Sequence, residues 1–384
     1  MKKRNCLIFC LILITYSNIY ATKIHEFKYK TSDNLNVVGR LYLPDKKTKK
    51  ILIKAVERDE NNIDDADSSL IEKLNYYGIG YYQYCFPDIK NPFQSVNYSI
   101  YDYSKDIKCA MAILRKNIKL KKTKIGIMGC SESADACAVY ASESKDVDFF
   151  VSVTTSFIEG YKDTLYIKQN GINKQFDLFK MIFYKIIDDT TFTFNGVKYT
   201  KTDKTVNQCF NATIDSIVRI IYDYGRYDLT IPRRASETIS ELWLGTKFNM
   251  LDAKPNISNY KMIVDSIICK FVFSKPNVIA LYQWDPSMWY SKIGIPTYIC
   301  FGQDDKVINT KDNYNNALFI KELYHKNKFK LEIFPNSGHN LSSYIKKQNV
   351  LFTDEKGKSK TLEKYSHVMD KKAIDKIVMW IYKL

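Results

Sequence analysis

The sequence predicts an α/β protein whose mainly parallel central sheet is covered by helices on both faces. Short apolar, β-branched runs alternate with amphipathic helical stretches over residues 24–155, the pattern of parallel strands joined by crossover helices. The same rhythm lapses after Thr154 and returns over residues 296–384. The intervening 156–289 reads as mostly helical and rich in aromatics. One interrupted layer architecture accounts for all three observations.

Taken in order, residues 24–30 and 35–43 read as two strands joined by the polar turn Thr31-Ser32-Asp33-Asn34, with Pro44 ending the second. Residues 51–55 form a short buried strand. Leu70, Ile71 and Leu74 recur at helical spacing over residues 68–77, and Gly78 stops that helix. A strand follows at 79–84, then a helix at 102–116 with Ile107, Met111 and Leu114 on one face. Residues 125–128 are again strand, 134–142 helix and 147–153 strand. Within the insertion, Asn195-Gly196 between Phe192-Thr193-Phe194 and Val197-Lys198-Tyr199 predicts a hairpin. Strands at 296–301 and 329–334 flank a helix at 311–324, and a last helix covers 373–382. The domain expectation is therefore a signal segment at 1–21, a core of 22–155 and 290–384, and a helical cap at 156–289.

The N-terminus reads as an export signal. Lys2, Lys3 and Arg4 precede a short apolar run from Cys6 to Ile14, and Ala21 supplies a small residue at a cleavage point. That run is far below the roughly 18–20 residues needed to span a bilayer. A periplasmic or secreted location follows as an expectation. The formal net charge is +16; without residues 1–21, which hold three bases and no acid, it becomes +13 (55 bases against 42 acids). The lysines lie scattered or in short loop clusters such as Lys46, Lys47, Lys49 and Lys50, with no single stripe. This disfavours nucleic acid as a partner and leaves open a peripheral contact with an anionic membrane surface. Seven of the nine cysteines follow residue 21, an odd number that leaves at least one thiol free. Cys109, Cys130, Cys137 and Cys300 fall in apolar segments where cysteine acts as a small hydrophobe. No CxxC pair or His/Cys cluster calls for a metal, and no cofactor motif is present.

The chemistry concentrates at Gly129-Cys130-Ser131-Glu132-Ser133, where a strand turns sharply into a helix. Such a turn lifts a serine clear of the sheet, and small flanking residues let strand and helix approach. Gly129 fits the first small position; Ser133 replaces glycine at the second. Reading Cys130 or Ser133 as nucleophile fails, because Met128 and Glu132, or Asp135, would then fill positions that need small residues. Gly302-Gln303-Asp304-Asp305-Lys306 follows a strand, and His339 sits in Pro335-Asn336-Ser337-Gly338-His339 after another. A serine needs a neutral imidazole to take its proton and a carboxylate to fix the ring's tautomer. Ser131, Asp305 and His339 supply these groups in the chain order of one hydrolase class. Asp304 competes as the acid; Asp305 is favoured by the Val307-Ile308 that follows. The other histidines, His25, His325 and His367, lie in polar or charged surroundings.

The runs Asp285-Pro286, Ile293-Gly294-Ile295-Pro296-Thr297, Phe301-Gly302-Gln303-Asp304-Asp305 and Phe334-Pro335-Asn336-Ser337-Gly338-His339 resemble secreted bacterial α/β-hydrolases of the dienelactone-hydrolase and serine-aminopeptidase-like superfamily. The opening hairpin and the closing helix with Trp380 are similar too. The resemblance spans about residues 24–155 and 283–384. It implies hydrolysis of an ester, thioester or amide in a small-molecule acyl substrate through an acyl-enzyme, with a Glu132 backbone N–H holding the oxyanion.

One departure stands out. The family carries His-Gly or Gly-Ser-Gly after its third strand, whereas this chain has Lys54-Ala55-Val56-Glu57-Arg58. A second oxyanion donor would have to be the N–H of Val56 or Glu57, whose side chains restrict the backbone more than glycine does. Tyr76, Tyr77, Tyr81, Tyr82 and Tyr84 are read as core before pocket lining. Three alternatives stand beside the hydrolase: a weakly active or inactive binding protein, a peptidase gripping an amine through Asp188 and Asp189, and an envelope protein held by charge.

Overall fold

The structure is a computed structural model, and it describes residues 23–45, 47–58, 63, 68–89, 98–116, 122–160, 191–194, 197–200, 280, 281, 283–353 and 359–384. Twelve strands and six helices of these residues follow the chain as β1 (Lys23–Lys30), β2 (Asn36–Leu43), β3 (Lys50–Lys54), α1 (Ser68–Tyr76), β4 (Ile79–Cys85), α2 (Ile100–Lys116), β5 (Lys124–Cys130), α3 (Glu132–Glu143), β6 (Phe149–Val153), β7 (Thr191–Phe194), β8 (Val197–Thr200), α4 (Pro286–Tyr290), β9 (Thr297–Gly302), α5 (Thr310–Leu323), β10 (Phe329–Phe334), β11 (Ser342–Thr353), β12 (Ser359–Met369) and α6 (Lys371–Lys383).

Eight strands form one sheet in the order β1-β2-β4-β3-β5-β6-β9-β10. β2 runs antiparallel to both β1 and β4, and every other pairing is parallel. The expected α/β class and mostly parallel sheet are therefore observed. Because successive strand residues point to opposite faces, the central strands divide their side chains between two cores. Ile51, Ile53, Tyr82, Ile125 and Ile127 join the core beneath α2 and α3. Leu52, Tyr81, Met128, Val151 and Tyr298 join the core beneath α1 and α6. Burying each such aliphatic side chain contributes about 1.5–3 kcal/mol, and three of the five tyrosines read as core are core: Tyr81, Tyr82 and Tyr84 are all 0% exposed, while Tyr77 is half-buried. Tyr76, by contrast, is half exposed.

The helices form where apolar spacing and caps agree. α6 buries Ile374, Ile377, Val378 and Ile381 on one stripe, and its N-cap Asp370 accepts hydrogen bonds from Lys372 N and Ala373 N. α5 begins at Asn309, whose side chain accepts from Asp312 N.

Most of the expected cap lies outside the described residues. Its hairpin is described as backbone: β7 and β8 pair antiparallel with Phe194 opposite Val197, as the intervening Asn-Gly predicts. Residues at the two ends of the expected insertion meet in the core. Trp284 Nε1 donates to Ser156 O at 2.8 Å, Gly160 N donates to Trp284 O at 2.8 Å, and Trp284 is 2% exposed. The signal segment, residues 1–21, also falls outside the description. One element has no counterpart in the sequence reading. β11 and β12 form a long antiparallel pair directly after His339. Among the described residues no helix is long and apolar enough to cross a membrane.

Candidate active site

Ser131 occupies the turn between β5 and α3 in the left-handed region, at φ 54° and ψ −128°. A non-glycine residue there is strained, and the surroundings hold it. Its N–H donates to Val153 O at 2.9 Å, on the neighbouring strand β6, and its carbonyl accepts from Ala134 N at 2.9 Å. Gly129 is required by the close approach of the helix: a Cβ there would overlap Ser133 O and the Ala134 backbone. Ser133 does more than fill a small position. Its hydroxyl accepts from Cys130 N at 2.9 Å and donates to Cys130 O at 2.7 Å, clasping the turn from inside. Cys130 is buried under it.

The loops after β9 and β10 pack on each other at the same edge of the sheet. Gly302 ends β9 beneath Ser337 and Gly338, whose carbonyl oxygens leave no room for a Cβ. Asp304 N donates to Ser337 O at 2.9 Å, which ties the two loops together. Asp305 is the carboxylate that turns inward. Its Oδ1 accepts from Val307 N at 2.7 Å and Ile308 N at 3.1 Å, and its Oδ2 lies 2.8 Å from His339 Nδ1. The Asp305 side chain is 0% exposed and that of His339 20% exposed. Asp304 is exposed and takes no part in this contact.

Thr154 connects the two halves. It follows Val153, the acceptor for Ser131 N, and its Oγ1 accepts from Asn340 N, beside His339, at 3.2 Å. Thr154 and Asn340 both have positive φ, 47° and 59°. Val153 and Thr154 thus link the Ser131 turn to the loop that carries His339. The Ser131 hydroxyl makes no capping bond, and its hydrogen bond to the His339 ring is not formed in this structure. Such contacts commonly tighten only when substrate binds.

Of the backbone donors expected for an oxyanion, Glu132 N opens α3 beside Ser131. Val56 is 4% exposed and lies just past β3, where Ala55 N donates to Met128 O at 2.8 Å. Glu57 follows it, and then comes a residue the sequence reading did not single out. Arg58 is 0% exposed. Its Nε and Nη2 donate to Asp106 Oδ2 and Oδ1 at 2.7 and 2.8 Å. Its Nη1 and Nη2 donate to Asp33 Oδ2 and Oδ1 at 2.6 and 3.1 Å. Burial pushes the Asp106 carboxyl up, to about 6, against the pull of the Arg58 guanidinium. Burial opposes the Arg58 charge as well, but the hydrogen bonds it donates to the two carboxylates outweigh that and hold it above its ordinary value. No signal in the local sequence could have found this cluster, because its partners lie 25 and 48 residues away.

A second buried polar group lies behind the turn. Asp135, on α3, accepts from the Thr155 hydroxyl, and Ser152 Oγ and Tyr290 Oη are 2.9 Å apart. Among the described residues no group of three or more His, Cys, Asp and Glu could hold a metal ion.

A mostly parallel eight-stranded sheet of this order, with a strained serine turn after β5, is the architecture of the α/β-hydrolase fold. Residues 107–221 match the family model of BAAT / acyl-CoA thioester hydrolase C-terminal domains, a stretch that includes Ser131 but neither Asp305 nor His339. No curated protein matches the chain. Among solved structures, the Pyrococcus furiosus esterase Pf2001 is similar at TM-score 0.45 and 11% identity, over 83% of this chain and 84% of that one. The esterase domain of a Rhodothermus marinus protein gives TM-score 0.40 and 9% identity over 83% and 91%. Pyrococcus horikoshii acylaminoacyl peptidase gives 0.43 and 11% over 87% and 39%.

Proposed function

We propose that this chain is an exported serine hydrolase that cleaves an ester or thioester through an acyl-enzyme. The observation that carries the reading is the Asp305–His339 contact of 2.8 Å, on loops packed at the sheet edge where the strained Ser131 turn ends β5. Asp305 is fixed by two backbone N–H groups and holds a proton on His339 Nδ1, which leaves Nε2 as the base. Ser131 Oγ attacks the acyl carbon while His339 takes its proton. The tetrahedral oxyanion is held by Glu132 N–H together with an N–H of Val56 or Glu57. Collapse expels the alcohol or thiol, protonated by His339, and water then releases the acid by the same route in reverse. The matched domain description supports including thioesters among the substrates. The basic, apolar N-terminal residues support export.

A fluorophosphonate probe tests the assignment. It is expected to label the wild type and not Ser131→Ala, and His339→Ala is expected to lose hydrolysis by about 10³-fold or more. Paired series of p-nitrophenyl esters and acyl-CoA thioesters of matched chain length then rank the leaving group by kcat/KM. Equal labelling of the wild type and Ser131→Ala would sink the reading.

A further inference from the structure

We infer that Arg58 is a positioning residue that fixes the Val56–Glu57 backbone, and with it the Glu57 N–H, for oxyanion binding, doing by side-chain clamping what a glycine-bearing loop does by local conformation. The inference rests on the proposed serine hydrolase and names how its least orthodox part is built.

The last sheet bond on the far side of β3 is Ala55 N to Met128 O, at 2.8 Å. Three residues later Arg58 is held on both sides of its guanidinium. Asp106 projects from the middle of α2 and is 2% exposed; Asp33 comes from the β1–β2 turn. Arg58 also lies over the Tyr98 ring at 4.4 Å and near that of Phe86 at 5.6 Å. Val56 and Glu57 are therefore a two-residue span pinned at each end. A planar guanidinium has five donors in a fixed fork, and here four hydrogen bonds use both edges of it. Lysine could hold one carboxylate but could not orient the chain between two.

Stability alone explains the cluster poorly. Taking an arginine and a carboxylate out of water costs much of what their attraction returns, and apolar replacements of buried ion pairs are often neutral or stabilising. Geometry is what such a cluster delivers. The position demanding it is the one where the oxyanion lacks a flexible glycine donor. An N–H displaced by a fraction of an ångström from the developing charge forfeits most of its effect, because the hole works by being built before the charge appears.

Arg58→Lys and Asp33→Asn test this, the second because the Asp33 side chain is 46% exposed and its loss leaves the core intact. Both are assayed beside wild type and Ser131→Ala, with thermal melting to confirm folding at the assay temperature. Removing an oxyanion donor lowers kcat by about 10²–10³; loosening one is expected to lower kcat by about 10- to 100-fold with KM within about twofold. A substrate-like trifluoromethyl ketone, whose hemiketal places an oxyanion in the same hole, is expected to bind more weakly by a similar factor as kcat/KM falls. Folded variants with wild-type kcat, or losses that merely follow the unfolded fraction, overturn the role of Arg58 while leaving the hydrolase standing. Wild-type turnover no greater than that of Ser131→Ala removes the hydrolase and this role together.

Discussion

Two adjacent aspartates follow β9, and their backbone partners decide which of them meets His339. Asp305 Oδ1 is engaged by the N–H groups of Val307 and Ile308, so its other oxygen is aimed at the ring, while Asp304 faces solvent. Asp305→Asn keeps the shape but presents an amide donor where the Nδ1 proton must lie, which favours the wrong tautomer. Its kcat is expected to fall by about 10⁴-fold, whereas Asp304→Asn stays within about twofold; steady-state hydrolysis of one ester by both variants separates them. Loss of comparable size from Asp304→Asn would reassign the acid. The preference for Asp305 was legible because Val307 and Ile308 stand where the loop returns. The role of Ser133 was only half legible. Its small size was visible, but its double bond to Cys130 needs the turn to be folded. Arg58 was not legible at all. Its meaning comes from side chains on two other elements, and a lone arginine after a strand looks like any solvated one.

At the scale of elements, the end of β6 acts as a bridge between the serine turn and the histidine loop. Val153 O receives Ser131 N, and the next residue, Thr154, receives Asn340 N on its hydroxyl. Thr154 is 1% exposed and strained at φ 47°, so its hydroxyl is held in place by the backbone that carries it. Thr154→Val preserves the branched shape and deletes the acceptor, leaving the Asn340 N–H without it. Stability is expected to fall by about 1–3 kcal/mol, and kcat by roughly tenfold as the His339 loop loosens. Chemical denaturation and initial rates on the same preparation measure both; unchanged kcat with lowered stability would limit the contact to folding. The elements themselves were largely legible, since strands covered on both faces are uniformly apolar and stand out against amphipathic helices. Helices and strands differ from expectation by one or two residues at their ends, as frayed termini do. β11 and β12 were missed for the opposite reason. Lys346-Lys347-Gln348-Asn349 and Glu363-Lys364 break the apolar alternation that marks a strand.

Across the whole molecule, the buried tyrosines give stability a pH dependence. Tyr82, Tyr84 and Tyr290 are each 0% exposed, and burial pushes all three phenols above their ordinary value near 10. Cys137 and Cys300 are shifted the same way by the same cause. The unfolded chain releases these protons at ordinary pKa values and the folded chain does not. A phenol raised on folding contributes stability that is complete below pH about 10 and is lost as pH rises toward the folded value. Each fully suppressed group removes about 1.4 kcal/mol per pH unit in that range. Neutralising exposed lysines over the same interval relieves repulsion in this basic chain, but those charges sit in water and are screened. The buried phenols are therefore expected to win, and unfolding above pH 10 should be cooperative. Tyrosinate absorbance followed beside far-UV circular dichroism from pH 9 to 12 checks this. A share of the tyrosines should ionise only as the dichroism collapses. In native protein at pH 9, a thiol reagent should likewise leave Cys137 and Cys300 unmodified. Complete phenol titration near pH 10 with the dichroism intact would mean that the sheet interior admits charge, and the two-faced core would have to be redrawn.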